Sequence, residues 1–275
     1  MIGVPGTLAA AVTAGGAVTA PLRVVKIGGR VQAEGGLAAA LAAAWRRAPG
    51  ALVVVHGGGD EVTALQRRLG REPAFVDGRR VTRDEDVELL RMVLSGLANK
   101  RLVSALTREG VDAVGVSGED ASLLLAETAD LAALGRVGRV RRVNVRLLWQ
   151  LLDGAFLPVV SPLATAHDGS GALNVNGDDA ASAVAVALDA DELLLVADVP
   201  GVRVGGEPAV ALDESAARAA IASGEASGGM AAKLEAALAA LAHGVPRVRI
   251  GDLAALGDPA RGTAVTKTST TRSTR

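Results

Sequence analysis

The sequence predicts an α/β fold, a three-layer αβα sandwich around a mainly parallel open sheet, and two observations carry that prediction. Short β-branched runs alternate with longer Ala- and Leu-rich segments, which is the rhythm of βαβ units. The runs LRVVKI, ALVVVH, FLPVVS and ELLLVAD are mostly continuous apolar stretches rather than alternating, as strands are when helices cover both faces of their sheet.

The elements follow in order. Residues 1–21 are small and apolar, without the basic start of a secretory signal or the bulky side chains of a membrane span, so they read as a flexible extension. LRVVKI and ALVVVH are strands, each followed by a helix, LAAALAAAWRR and EVTALQRRLG. In REPAFVDGRRVTR the central Asp77-Gly78 between Val-containing flanks predicts a hairpin. A second such interruption is expected around Gly135 to Val143. The strands FLPVVS and ELLLVAD then flank the helix DDAASAVAVAL, and MAAKLEAALAALAH forms the last long helix. The polar, basic tail, residues 267–275, reads as disordered. Neither a fixed repeat nor a Pro/Ser-rich linker interrupts residues 22–266, so they form one domain of at most two lobes. The lobes are divided into 22–162 and 163–266, with a cleft between them as the natural site.

Composition narrows the chemistry. With 29 Lys and Arg against 30 Asp and Glu, the net charge of -1 supplies no overall basic field for nucleic acid or anionic membrane. Aromatic residues make up 1% of the chain, which disfavours base stacking. The absence of Cys removes disulfides, thiolate metal sites and thiol nucleophiles, and fits a cytoplasmic location.

Four glycine- and Asn-rich turns concentrate the remaining chemistry. In VVKIGGR, Lys26 precedes Gly28 and Gly29 at the carboxyl end of a strand, where open parallel sheets bind ligands. The bland alternative is a tight turn beside a lysine reaching solvent. VVVHGGGDEV places three glycines between a strand and a helix N-terminus, so its free N–H groups suit an oxyanion, though it is neither a P-loop nor a dinucleotide fingerprint. His56 reads as an orienting group for that turn rather than a base. In LNVNGDDAAS, Asp178 or Asn176 caps the following helix, and at least one of Asn174, Asn176 and Asp178 is left to meet a ligand. In ASGGMAAKLEAAL, Lys233 is read in the first helical turn, an unfavourable place for a cation unless an anion lies nearby; an ordinary surface lysine is the alternative.

Taken in register, VVKIGG, VVVHGGG, FVDGRRVT, LSGLANKRLV, RVGRVRRVN, FLPVVSPLA, LNVNGDDAA, ADVPGV and GGMAAKLEAAL resemble the amino acid kinase family across about residues 22–266. Within it, the branch acting on N-acetylglutamate is the most similar. The resemblance implies an enzyme that uses ATP and Mg²⁺ to phosphorylate the side-chain carboxylate of N-acetyl-L-glutamate, giving an acyl phosphate in arginine biosynthesis. It implies a homodimer joined through the first lobe, which holds the acyl amino acid, with ATP on the second. Lys26 and Lys233 would neutralise the transferring phosphoryl group and Asp178 would hold both lysines. Gly58, Gly59, Arg80, Asn174 and Asn176 would bind the substrate. Gly28, Gly29, Asp198, Gly201, Gly229 and Met230 would bind the nucleotide, and no residue is assigned to a metal.

Two departures from the branch, Gly177 and the GED near residue 118, bear on the acyl group. The sister kinases, which act on aminoadipate or glutamate attached to an acidic carrier protein, are the nearest alternative, and Arg136, Arg139, Arg141, Arg142 and Arg146 would face such a carrier unless they form a merely solvated strand. A non-catalytic regulatory relative is the second alternative, against which the retention of Lys26, Asp178 and Lys233 argues. Arginine-inhibited members carry an N-terminal helix. The uncharged, Gly- and Pro-containing segment before Leu22 does not predict one, so a dimer insensitive to arginine is expected.

Overall fold

The computed structural model describes residues 20–76 and 78–267. The expected N-terminal extension lies outside the described residues up to position 19, as do Asp77 and positions 268–275 of the tail. The chain runs β1 (Arg23–Ile27), α1 (Leu37–Arg47), β2 (Leu52–His56), α2 (Gly59–Arg68), β3 (Phe75–Val76), β4 (Arg79–Arg80) and α3 (Asp84–Leu90). A π-helical stretch (Arg91–Ala98) leads into α4 (Asn99–Arg108), followed by β5 (Ala113–Ser117), β6 (Leu124–Thr128), α5 (Leu131–Leu134), β7 (Val137–Val143) and α6 (Val145–Asp153). Next come β8 (Leu157–Ser161), β9 (Leu163–Ala166), β10 (Ala172–Val175), α7 (Gly177–Ala187) and β11 (Glu192–Val196). The last part holds β12 (Arg203–Val204), β13 (Glu207–Pro208), β14 (Ala211–Asp213), α8 (Glu214–Ala222), α9 (Gly228–Ala242), β15 (Arg247–Gly251) and β16 (Thr263–Thr266).

The main sheet has eight strands in the order β14-β16-β15-β11-β1-β2-β8-β5. Every neighbouring pair is parallel except β15 with β16. Strands β2, β8 and β11 are buried at every residue and β1 at all but its first, as continuous apolar runs require when helices cover both faces. The chain starts this sheet in the middle. From β1 it moves to β2 on one side and returns later to β11 on the other, so the turn after β1 lies at a topological switch point.

A second, smaller sheet was not predicted. Strands β6, β7, β9 and β10 close on one another, and the interruption expected at Gly135 to Val143 is the longest of them, β7. The others read LLAET, LATA and ALNV. They are short and mixed in polarity, and although β6 pairs with the following β7 and β9 with the following β10, the closure rests on the longer-range pairs β6–β9 and β7–β10, so local periodicity does not mark them. The predicted hairpin is present: Phe75 pairs with Arg80 and Val76 with Arg79. Its exit is fastened to the second sheet by a bridge between Thr82 and Gly135. Gly135 has φ +67°, and a Cβ there would lie 2.2 Å from the Thr82 carbonyl oxygen, so this crossing requires glycine.

The acidic first turn Asp84, Glu85 and Asp86 suits the positive end of α3. The π-helical stretch after it carries Leu94 over the Gly58 turn, where a Cβ on Gly58 would come within 2.6 Å of Leu94 Cδ2. Among the described residues, no helix is long and apolar enough to cross a membrane.

Candidate active site

The carboxyl ends of β1 and β2 and the N-termini of α2, α7 and α9 meet around Asp178. Asn176 caps α7, its Oδ1 accepting from the N–H groups of Asp178 (2.8 Å) and Asp179 (3.3 Å). Capping therefore falls to Asn176 and leaves the Asp178 carboxylate free to face the lysines. Lys26 Nζ lies 3.0 Å from Asp178 Oδ1, and Lys233 Nζ lies 3.2 Å from Oδ2.

All three groups are largely buried. Burial opposes ionisation of Asp178, but the two ammonium groups outweigh it and hold its carboxyl below the ordinary carboxylate range. Burial, with repulsion from Lys233, pushes Lys26 below the ordinary lysine range although Asp178 pulls it up. Two cations share one anion, so the cluster keeps a surplus positive charge in a poorly solvated place, where an anionic ligand is strongly attracted. Lys233 falls in the second turn of α9 rather than the first as expected, because the helix begins at Gly228. The anion that offsets it is Asp178.

The glycine turns meet beside this cluster. A Cβ on Gly29 would lie 3.6 Å from the nitrogen of Gly59 and 3.7 Å from that of Gly58, and one on Gly57 would lie 4.0 Å from Lys26 Nζ. Gly58 caps α2 and Gly59 begins it, so the Gly59 N–H belongs to the open first turn of a helix and the Gly58 N–H lies just ahead of it. The Gly28 N–H donates to the Val196 carbonyl (3.2 Å), which ties the turn to β11. A Cβ on Gly177 would come within 3.2 Å of Lys26 Cε, so the Gly177 backbone forms part of the wall that holds this lysine. His56 behaves as the sequence suggested. Its Nδ1–H donates to the Gly57 carbonyl (2.7 Å) and its Nε2 accepts from Asn99 Nδ2 (3.1 Å). Burial pushes its pKa down to about 4, which keeps the imidazole neutral and orienting.

A cavity opens from the glycine amides towards the hairpin, with Arg80, Leu94, Pro162, Asn174 and Asn176 in its wall. Arg80 stacks over Phe75, 4.8 Å from the ring centroid, and donates to Gln66 Oε1 (2.5 Å), the Gly59 carbonyl (2.7 Å) and Thr63 Oγ1 (2.7 Å). These contacts fix the guanidinium in one orientation at the mouth of α2. Asn174 donates to buried Thr82 Oγ1 (2.9 Å), which joins β10 to the hairpin exit.

On the other side of the cluster, Asp198 accepts from Arg30 Nη1 (3.1 Å), and that hydrogen bond holds its carboxyl below the usual range. Gly201 abuts Thr263, whose Oγ1 would lie 2.6 Å from an added Cβ. Gly229 and Met230 form the first turn of α9, ahead of Lys233. The structure thus brings Lys26, Gly29, Gly58, Gly59, Asp178 and Lys233 to one point, with Arg80, Asn174 and Asn176 along the adjoining cavity. Sequence reasoning missed Arg30, Arg79, Thr82 and Asp179. The doubled arginine of GRR and the doubled aspartate of GDD were visible, but nothing local pairs them.

The family model of the amino acid kinase family matches residues 21–252. The acetylglutamate kinase of Paracoccus denitrificans is 47% identical over 201 residues, which are 73% of this chain and 66% of that protein. The acetylglutamate kinase of Chloroflexus aurantiacus is 43% identical over 239 residues, 86% of this chain and 94% of that protein. Among solved structures, smu.665 from Streptococcus mutans superposes with a TM-score of 0.80 at 30% identity, covering 89% of this chain and 98% of that one. With a matching model across most of its length and the lysine–aspartate–lysine cluster at the switch point of its sheet, the chain belongs to the amino acid kinase family.

Proposed function

We propose that this protein transfers the terminal phosphoryl group of ATP to the side-chain carboxylate of N-acetyl-L-glutamate, forming an acyl phosphate and ADP in arginine biosynthesis. The observation that carries the proposal is the Lys26–Asp178–Lys233 cluster, set beside converging glycine amides at one end of a cavity lined by Arg80 and Asn174. The acetylglutamate kinases described above supply the substrate. A carboxylate oxygen attacks the terminal phosphorus, the bond from that phosphorus to the bridging oxygen breaks, and ADP leaves with its electron pair. Because the attacking carboxylate is already ionised, no general base is needed. The requirement is charge neutralisation and alignment, which two fixed ammonium groups and helix N-termini supply. Arg80 offers a planar fork to the substrate's other carboxylate.

The nucleotide is assigned to Gly28, Gly29, Asp198, Gly201, Gly229 and Met230. Mg²⁺ would help neutralise the phosphate charge, and no residue of this chain is assigned to hold it, since Asp178 is engaged by two lysines and Asp198 by Arg30. The acyl amino acid lies with the first lobe. Asn174 is tied to that lobe through its hydrogen bond to Thr82. A cytoplasmic homodimer completes the reading. It is supported by Met92 and Leu97, 59% and 57% exposed on the π-helical stretch, as an apolar face for a second copy.

The test is hydroxylamine trapping of the acyl phosphate with ATP and N-acetylglutamate, run beside N-acetylaminoadipate and a carrier-linked glutamate. Hydroxamate from N-acetylglutamate is the expected result. Product from the carrier-linked substrate alone would overturn the proposal in favour of a carrier-dependent kinase, whose acidic partner would meet the exposed Arg139, Arg141, Arg142 and Arg146.

A further inference from the structure

Arg79 and Asp179 form an ion pair for which the reaction above has no use. Arg79 Nη1 lies 2.6 Å from Asp179 Oδ2, with the two side chains 33% and 28% exposed. Their positions are informative. Arg79 immediately precedes Arg80 on the second strand of the hairpin, and Asp179 immediately follows Asp178 in the first turn of α7. The pair therefore links the segment carrying the substrate's guanidinium to the segment carrying the carboxylate that holds both lysines.

The hairpin has few other fastenings. Among the described residues, its two strands pair only with each other. Arg80 ties it to α2, and the Thr82 bridge ties its exit to Gly135. Among the described residues, Arg79–Asp179 is the only ion pair between the hairpin and α7. Gly78, at the tip, lies close to the start of α9, since a Cβ there would be 3.8 Å from the Gly228 carbonyl oxygen. Arg79 also stands in the wall between two cavities, the one lined by Arg80 and Asn174 and a larger one bounded by β7, α7 and α9. Asp179 is three residues past the cap Asn176, the position from which an acidic side chain commonly reaches back to the cap backbone. Here its carboxylate is turned to Arg79 instead.

We propose that Arg79 and Asp179 form a positioning latch that holds the substrate hairpin against the N-terminus of α7 and so sets the distance between the Arg80 guanidinium and the Lys26–Asp178–Lys233 cluster. This rests on the phosphotransfer reading for its kinetic part. The latch touches neither reacting atoms nor nucleotide, so its loss slackens the acyl amino acid site while leaving the charge cluster whole.

The test is a double-mutant cycle of Arg79→Leu, Asp179→Asn and the double variant, read in two ways. With N-acetylglutamate, each single variant raises KM for the acyl amino acid about tenfold with kcat and the KM for ATP little changed, and the double variant is no worse than either single one. By hydrogen exchange on the free protein, backbone amides of residues 75–81 lose protection in all three variants alike. Strictly additive KM effects, a fall in kcat with KM unmoved, or unchanged hairpin exchange would overturn the latch. If the wild-type protein fails to phosphorylate N-acetylglutamate, the functional reading falls, and the exchange measurement still decides the latch by itself.

Discussion

Lys26 meets Asp178 at Oδ1 while Lys233 spans both carboxylate oxygens, so the two lysines occupy different places on one anion. Replacing either with Ala is expected to lower kcat by roughly 10²-fold or more while changing KM for the acyl amino acid much less, the pattern of a lost transition-state interaction. Steady-state kinetics on variants with unchanged melting temperatures check this, and near-normal kcat in both would contradict the assignment. Arg80→Lys keeps the charge but not the fork, and should raise KM for the acyl amino acid about tenfold or more with ATP affinity intact. His56 supplies a pH prediction. Its folded pKa of about 4 lies below the ordinary 6.5, so between those values the unfolded chain binds a proton that the native one refuses. Stability contributed by the neutral imidazole is present at pH 7 and declines as pH falls through that window, by about 2 kcal/mol at pH 5. Urea titrations at pH 7 and 5 should show the loss, and His56→Gln should flatten it.

At the scale of elements, the central strands and the glycine turns were legible because each is specified by its own residues: an unbroken apolar run, a strand-to-glycine junction, a cap before an apolar helix. The hairpin at Phe75 to Arg80 was legible for the same reason. What escaped was whatever depends on partners far along the chain. Arg79 and Asp179 are 100 residues apart. The buried cluster of Arg23, Glu192 and Arg249 is another such case. Glu192 accepts from Arg249 Nε (2.7 Å) and Arg23 Nε (2.6 Å), and Arg249 also donates to the carbonyls of Ala255, Asp258 and Arg261. That cluster sets the loop between β15 and β16 from beneath. Burial opposes ionisation of Glu192, but the two guanidinium groups hold its carboxyl below the ordinary range. Its stabilisation is therefore present at neutral pH and lost as pH falls. Glu192→Ala leaves Arg249 buried beside no carboxylate and should cost about 3 kcal/mol, measured by denaturant unfolding, with kcat retained in the folded fraction.

For the whole molecule, the expected state is a dimer whose activity does not respond to millimolar arginine. Light scattering after size exclusion, run beside an arginine titration, checks both, and a hexamer with sigmoidal inhibition would refute the expectation. The overall architecture could be anticipated because parallel strands and covering helices announce themselves locally, whereas the closed β6–β7–β9–β10 sheet depends on pairings that only the folded chain brings about. The placement of β1 at the centre of the main sheet also shapes how the protein is made. On a ribosome, β1 gains β2 soon after both emerge, but its other flank stays bare until Glu192–Val196 follows, some 165 residues later. Throughout that interval the nascent chain carries an unpaired apolar strand edge, the feature that invites association between copies. The one charge in the interior of that strand is Lys26, and a lysine is the kind of residue that discourages edge-to-edge pairing.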